Sequence, residues 1–193
     1  MKRRPSRLLV VLALVATVAG GVYAYQVSLV PKRFAVVQEG HLYRSSQPST
    51  RQIQHMIDTL GLKTILIVRS GKSSRVPDEI EYAQSRGLKV VHIPIESRQT
   101  IPEPQIAEFF RSVDDPSQHP ILVHCSAGRH RTGYLCARYR IDRQGWPLER
   151  AIDELRSFGF DEEDQGVVMN QIRSYKPIAS ATTMAQTPSR VAP

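Results

Sequence analysis

The chain has few cysteines, which are common ligands in structural metal sites. Only two cysteines, Cys125 and Cys136, occur among its 193 residues. No spacing of cysteine, histidine or acidic residues is typical of a metal site. The sequence also contains no internal repeat, which argues against a solenoid. We therefore predict no bound metal and no cofactor. The length and the 41% hydrophobic content suffice for one globular domain with appendages.

Motifs of nucleotide and nucleic-acid binding are also missing. Gly71-Lys72-Ser73 has no upstream glycine at the spacing of an ATP-binding loop. Aromatic residues are not interleaved with a basic stripe, so the net charge of +8 does not predict nucleic-acid binding. Four of the basic residues precede the domain, namely Lys2, Arg3, Arg4 and Arg7. The positive charge that remains in the rest of the chain suits an anionic phosphoester substrate.

The N-terminal segment contains an uncharged apolar run from Leu8 to Tyr25. Val22-Tyr23-Ala24 would suit signal-peptidase cleavage, whereas the length of the run favours an uncleaved membrane anchor. We predict a signal anchor or signal peptide over residues 1–30 and a membrane-anchored or exported catalytic domain outside the cytoplasm over residues 31–176. Residues 177–193 are rich in Pro, Ser, Thr and Ala and are predicted to be disordered.

Between these ends, strand patterns alternate with helix patterns. Strands are predicted at 34–37, 42–44, 63–68, 88–95 and 121–123. Helices are predicted at 50–60, 78–86, 101–113, 132–145 and 147–155, with a last short helix ending near 175. This alternation predicts an α/β domain with a central, mainly parallel sheet flanked by helices, preceded by an N-terminal apolar helix.

The most informative stretch is residues 120–133, in which a short apolar strand is followed by a loop and a helix. His124-Cys125 and Arg131-Thr132-Gly133 enclose five loop residues. Loop N–H groups and the helix N-terminus can bind a tetrahedral oxyanion. The same field favours the reactive thiolate form of Cys125, and Arg131 can bind phosphoryl oxygens bidentately. The pattern predicts phosphoryl transfer to a cysteine nucleophile.

This spacing resembles the signature loop of the cysteine-dependent protein tyrosine phosphatase superfamily. Within it, the chain is similar to the compact dual-specificity and atypical phosphatases. Leu-Tyr-Arg-Ser-Ser-Gln-Pro at residues 42–48 is similar to a stretch near the start of many small bacterial and atypical phosphatases, where it lies close to the active-site mouth. The resemblance covers roughly residues 36–160. It implies a tyrosine phosphatase-like fold and hydrolysis of phosphate monoesters through a phosphocysteine.

Each loop residue then has an expected role. Cys125 attacks phosphorus, and the hydroxyl of Thr132 assists breakdown of the intermediate. By the resemblance, His124 orients the loop and tunes the thiol. Arg131 and the loop amides stabilise the equatorial oxygens. The expected phosphate-binding residues are Ser126, Ala127, Gly128, Arg129, His130 and Arg131.

The general acid is the point at which the sequence departs from the family. The family uses an Asp roughly thirty residues before the cysteine, whereas residues 92–98 contain none. Glu96 is the nearest carboxylate and is our predicted acid, with Ser97 as a candidate for the position of the family's Asp. Glu103 and the absence of a dedicated acid are the alternatives.

The substrate class is predicted less narrowly than the reaction. Phosphotyrosine or dual-specificity protein substrates are the first prediction. The alternative is a phosphorylated lipid or inositol, because Arg129 and His130 would add positive charge at the pocket floor, as basic residues do in those branches of the superfamily. The expected partners are one of these substrates and a membrane through the N-terminal helix, but no nucleic acid.

Other classes of protein remain as alternatives. A rhodanese-type sulfurtransferase also uses a cysteine loop, and an arsenate reductase can share the cysteine-to-arginine spacing. A binding-only pseudophosphatase would normally lack Cys125 or Arg131. Cys136 is predicted to be a small core residue, with a redox pairing to Cys125 as the alternative.

Overall fold

A computed structural model describes residues 7–71 and 75–176. A short 3₁₀ turn, Pro116–Gln118, precedes the last strand. In chain order the elements are α1 (Arg7–Ser28), β1 (Ala35–Gln38), β2 (Leu42–Ser45), α2 (Thr50–Leu60), β3 (Thr64–Ile67), α3 (Arg75–Ser85), β4 (Lys89–His92), α4 (Glu103–Val113), β5 (Ile121–His124), α5 (Arg131–Gln144), α6 (Leu148–Ser157) and α7 (Gly166–Arg173).

The strands form one sheet in the order β1-β2-β5-β3-β4. Among the strands of the described ranges, only the β1–β2 hairpin is antiparallel; β2, β5, β3 and β4 all run parallel. The central strand β5 pairs on both edges, and all four of its residues are buried. The predicted α/β fold with a mainly parallel sheet is therefore confirmed.

Two apolar cores cover the two faces of the sheet, as alternation along a strand requires. Ile121 and Val123 of β5 enter the larger core with residues of α4, α5, α6 and α7. Leu122 faces the smaller core, which α2 and α3 complete. Helix α2 begins with the predicted capping by Ser49 and ends at Gly61 in the left-handed conformation. These layers support β5 from both sides.

Helix α1 corrects the prediction about the N-terminal segment. None of the helices in the described ranges combines the length and the apolar character that a membrane crossing requires. The prediction relied on the length of the uncharged run from Leu8 to Tyr25 and on the tolerance of membrane helices for Gly20-Gly21. The predicted membrane-anchored or exported location outside the cytoplasm is therefore wrong. The described residues give no support to the predicted membrane contact, and the signal anchor or signal peptide over residues 1–30 stays a prediction. The predicted disordered tail, 177–193, lies outside the described residues.

Candidate active site

The signature loop follows the carboxyl end of the central strand, which is where open α/β sheets bind ligands. His124 is the last residue of β5, and Arg131 is the first residue of α5. The Cys125 side chain between them is only 2% exposed. The N–H of Gly128 donates to its Sγ over 3.3 Å, so the loop curls around the sulfur. The loop lies where the sequence predicts it.

Every carbonyl of the five-residue loop is bonded to surrounding protein. The Ser126 carbonyl accepts from the N–H of Gln47 at 3.1 Å, and those of Ala127 and Gly128 accept from the guanidinium groups of Arg33 and Arg44 at 3.2 and 2.8 Å. The last two carbonyls, of Arg129 and His130, accept from the first turn of α5. Because the oxygens face outward, the N–H groups of the loop can converge on an anion.

The Cys125 thiol is tuned toward ionisation. Burial is the largest single influence and opposes the thiolate, but its neighbours outweigh it and lower the pKa of the thiol below its usual value. These neighbours are the hydroxyl and N–H of Thr132, the charge of Arg131 and the N–H of Gly128. The buried Thr132 hydroxyl makes no other hydrogen bond with any described residue, so its proton can rotate onto Sγ.

Gly128 is a position where no side chain fits. Its φ is +69°, and a Cβ built there would lie 2.4 Å from the Ser45 carbonyl oxygen and 2.6 Å from the Ser46 nitrogen. Both atoms belong to the backbone at the end of β2, the neighbour of β5 in the sheet. The pairing of β2 with β5 therefore brings the loop into direct contact with this backbone.

Arg131 connects the loop to the segment after β4. Its Nη1 donates to the carbonyl of Ile95 over 3.0 Å, which places the adjacent Glu96 at the edge of the site. Glu96 is exposed, and its Oε1 accepts from the Ser70 hydroxyl at 2.9 Å. Glu103 instead begins α4, with a 74% exposed side chain that lies 3.8 Å from Arg138 Nη1. The structure thus brings Glu96, rather than Glu103, next to Arg131.

The two basic loop residues face the segment after α6. The ring of His130 packs edge-on against Phe160, and its Nε2 accepts from the Asp161 N–H at 3.3 Å, which requires that nitrogen to be unprotonated. Burial, followed by the charge of Arg129, lowers the pKa of His130. Arg129 is half-buried near Gly159, where the guanidinium of Arg33 also lies. The positive charge beside the loop therefore comes from arginines and not from His130.

The sequence does not predict the positions of two arginines in the site. Arg44 is 1% exposed, and its guanidinium carbon lies 3.8 Å from the centre of the Phe158 ring. Arg44 therefore supports the loop through its hydrogen bond to the Gly128 carbonyl and does not contact substrate or solvent. The signal was available, since Arg44 belongs to a strand that pairs with the buried central strand.

The second, Arg69, lies in a segment that the sequence indicates to be a flexible loop. Its Nη1 donates to Gln47 Oε1 at 2.5 Å. Burial, and then the charge of Arg131, lowers the pKa of Arg69, while Cys125 raises it. No local sequence pattern predicts this position.

Cys136 is inert in this setting. It is fully buried in the larger core, and burial raises the pKa of its thiol to about 11. Both cysteines are free. Because a protonated thiol is a poor nucleophile, this environment favours the core role over the redox pairing. Within the described residues, no three His, Cys, Asp or Glu side chains are grouped so as to hold a metal ion.

Comparison with known proteins places this geometry among phosphatases. The family described as "Tyrosine phosphatase family" matches residues 28–188. Inositol diphosphatase SIW14 of Saccharomyces cerevisiae is 29% identical over 78% of this chain and 55% of its own length. Dual specificity protein phosphatase TpbA of Pseudomonas aeruginosa is 28% identical over 64% and 53%, respectively. Inositol diphosphatase DSP4 of Arabidopsis thaliana is 34% identical over 66% and 64%. The chain therefore spans roughly half to two thirds of the length of these relatives.

Solved structures agree with the sequence comparisons. The core catalytic domain of the PP-IP phosphatase SIW14 superposes with a TM-score of 0.67 at 28% identity, over 76% of this chain and 87% of that one. The crystal structure of TpbA gives a TM-score of 0.59 at 25% identity, over 70% and 81%. The predicted tyrosine phosphatase-like fold is thereby confirmed.

Proposed function

The chain belongs to the tyrosine phosphatase family, and on that basis we propose that it hydrolyses phosphate monoesters through a phosphocysteine intermediate, with a phosphatase domain over residues 31–176. The observation that supports this most directly is the loop after β5. There, a thiol of lowered pKa lies in a ring of outward-facing carbonyls beside Arg131. Phosphotyrosine-containing or dual-specificity protein substrates are the first candidates, as the name of TpbA suggests. A sulfurtransferase or an arsenate reductase has no such support.

In the proposed first step, Cys125 Sγ attacks phosphorus, the S–P bond forms and the ester P–O bond breaks. Loop N–H groups and Arg131 stabilise the charge on the equatorial oxygens. Glu96 gives its proton to the leaving oxygen. The Glu96 carboxylate then takes a proton from water as the water oxygen attacks phosphorus and the thiolate leaves, with the Thr132 hydroxyl stabilising the departing sulfur.

For the Glu96→Gln variant we expect kcat for an alkyl phosphate to fall by about 100-fold, the scale of lost general-acid catalysis. The alkaline limb of the pH–rate profile should disappear, because a general acid acts only in its protonated form. In kcat/KM, which reports the steps up to formation of the phosphocysteine, an aryl phosphate with a good leaving group should be affected much less than the alkyl phosphate.

Glu103→Gln is the matched control for this experiment and should leave the profile unchanged. If Glu96→Gln retains a normal alkaline limb with the alkyl phosphate, Glu96 is not the acid. If Glu103→Gln removes that limb, the acid lies on α4.

A second candidate substrate class is an inositol or phosphoinositide phosphate. Two of the relatives are named inositol diphosphatases. In this chain, Arg33 and Arg129 lie together at Gly159, immediately beside the loop. A substrate with more than one phosphate would offer these two side chains an anionic partner.

A phosphate-release panel of phosphopeptides, phosphoinositides and inositol phosphates tests both candidates. If inositol phosphates are the substrates, Arg129→Ala should lower their kcat/KM about tenfold, the value of one charge-assisted hydrogen bond of ~1.5 kcal/mol, and spare an aryl monophosphate. Arg86→Ala is the control, because Arg86 lies between α3 and β4, at the edge of the sheet opposite to β1. Release from phosphopeptides alone would eliminate the second candidate, and no release from any substrate would overturn the proposed function.

A further inference from the structure

Glu79 is a buried carboxylate in the middle of α3, a helix with no residue in the signature loop. It is 5% exposed. Its Oε2 accepts from Gln47 Nε2 at 2.8 Å. Its Oε1 lies 2.8 Å from Nε2 of His124, which is completely buried. The two atoms are close enough for an ion pair, but their relative orientation is not that of a hydrogen bond. A buried carboxylate without a charged partner would be costly, so the contact with His124 calls for an explanation.

The proton on the other ring nitrogen can be assigned from hydrogen-bond chemistry. His124 Nδ1 lies 3.1 Å from the carbonyl oxygen of Cys125. Because a carbonyl oxygen only accepts, Nδ1 must carry a proton to make that bond. Nε2 then either carries a second proton facing a carboxylate or is a bare lone pair facing a protonated carboxyl group. Glu79 and His124 therefore hold one proton between them, and its position decides whether His124 is charged.

We propose that Glu79 is a positioning residue that holds His124 in its doubly protonated, cationic form and thereby supports the Cys125 thiolate. The positive end of the Glu79–His124 pair faces the signature loop, since Nδ1 bonds to the Cys125 carbonyl while the carboxylate lies beyond Nε2. An adjacent cation stabilises a thiolate. The inference rests on the proposed function only in taking Cys125 as the reacting group.

The other charged groups around the Glu79–His124 pair are arginines, and one of them is linked to Glu79 by hydrogen bonds through Gln47. Gln47 donates to Glu79 through Nε2 and accepts from Arg69 through Oε1, so the carboxylate and the guanidinium share one amide. The backbone N–H of Gln47 also bonds to Ser126 in the loop. Arg69, in the segment after β3, and Arg131, in α5, are the cations facing Cys125. The Glu79→Gln change leaves both arginines in place and removes only the carboxylate charge.

The test is the pH dependence of Cys125 alkylation by iodoacetamide, followed by mass spectrometry of the peptide that contains it. In the Glu79→Gln variant the side-chain amide can still accept from Gln47 and can donate to a bare Nε2, which favours neutral His124. We expect the alkylation midpoint to move alkaline by about one pH unit, the lower end of the effect of a neighbouring charge. Nitrogen NMR should show the loss of one ring proton from His124. A purely structural role would move neither quantity.

Three comparisons make the result decisive. Glu81→Gln, on the exposed face of the same helix, should leave the midpoint unchanged, and Glu79→Asp should restore it in part. In a His124→Asn background, Glu79→Gln should add no further change. An unmoved midpoint in folded Glu79→Gln, or an equal shift without His124, would overturn the proposal. Alkylation requires no turnover, so a failure of the proposed phosphatase function would appear separately, as absent phosphate release with normal alkylation.

Discussion

The Cys125→Ser variant is expected to lose phosphate release from an aryl phosphate by a factor on the order of 10⁴ or more, as when the nucleophile is removed from other covalent enzymes. The thiol acts as its thiolate, and the site lowers its pKa through Thr132, Arg131 and Gly128 against the opposing effect of burial. A serine hydroxyl gains far too little from these neighbours to ionise near neutral pH. Steady-state turnover together with circular dichroism would measure the loss and verify the fold.

Cys136→Ala is the matched control for that experiment. Cys136 lies in the core, and burial raises the pKa of its thiol to about 11, so its removal should cost some stability but little activity. Substantial turnover by Cys125→Ser would exclude a phosphocysteine. Equal losses in both variants would instead indicate that the two thiols act together, which is the redox pairing left open by the sequence.

The Gly128→Ala variant is expected to show the largest loss of stability among substitutions at the site, about 4 kcal/mol or more. A Cβ would lie 2.4 Å from the Ser45 oxygen and 2.6 Å from the Ser46 nitrogen, and backbone atoms cannot rotate away as side chains do. The φ of +69° adds roughly 1–2 kcal/mol of strain for any L side chain. For a chain of this size we expect the Tm to fall by about 10 °C. Activity should fall with it, because the Gly128 N–H bonds to Sγ.

Gly61→Ala separates the two causes. Gly61 has nearly the same φ, +62°, but nothing within 4 Å of a built Cβ. It should therefore lose only the conformational part, about 1 kcal/mol. Thermal unfolding of both variants measures the difference. If Gly128→Ala is no less stable than Gly61→Ala, the backbone contact with residues 45 and 46 does not constrain the loop.

Much of the fold follows from local sequence patterns. The helices predicted at 50–60 and 132–145 are found close to those bounds, because the capping box at Ser49 and the left-handed Gly61 and Gly145 that delimit them depend on residues close together in the chain. Strand β5 and the loop after it were also predictable. The spacing from Cys125 to Arg131 determines which groups surround the sulfur.

The residues that support the loop from outside could not be predicted in the same way. Arg44, Arg69 and Glu79 come from β2, the segment after β3 and α3, and they meet at the site only because β2 and β3 flank β5 in the sheet. Their roles depend on strand order, which no local pattern determines. The prediction about the location rested on the run from Leu8 to Tyr25 alone, and not on any contact between α1 and the rest of the fold.

The central position of β5 has a consequence for motion. This strand is bonded on both edges and buried along its whole length, so its backbone amides can exchange with solvent only in the rare openings that disrupt the whole sheet. The nucleophile directly follows this slow-exchanging segment. We therefore expect the sulfur to stay fixed during turnover, while rearrangements occur in the exposed segment around Glu96.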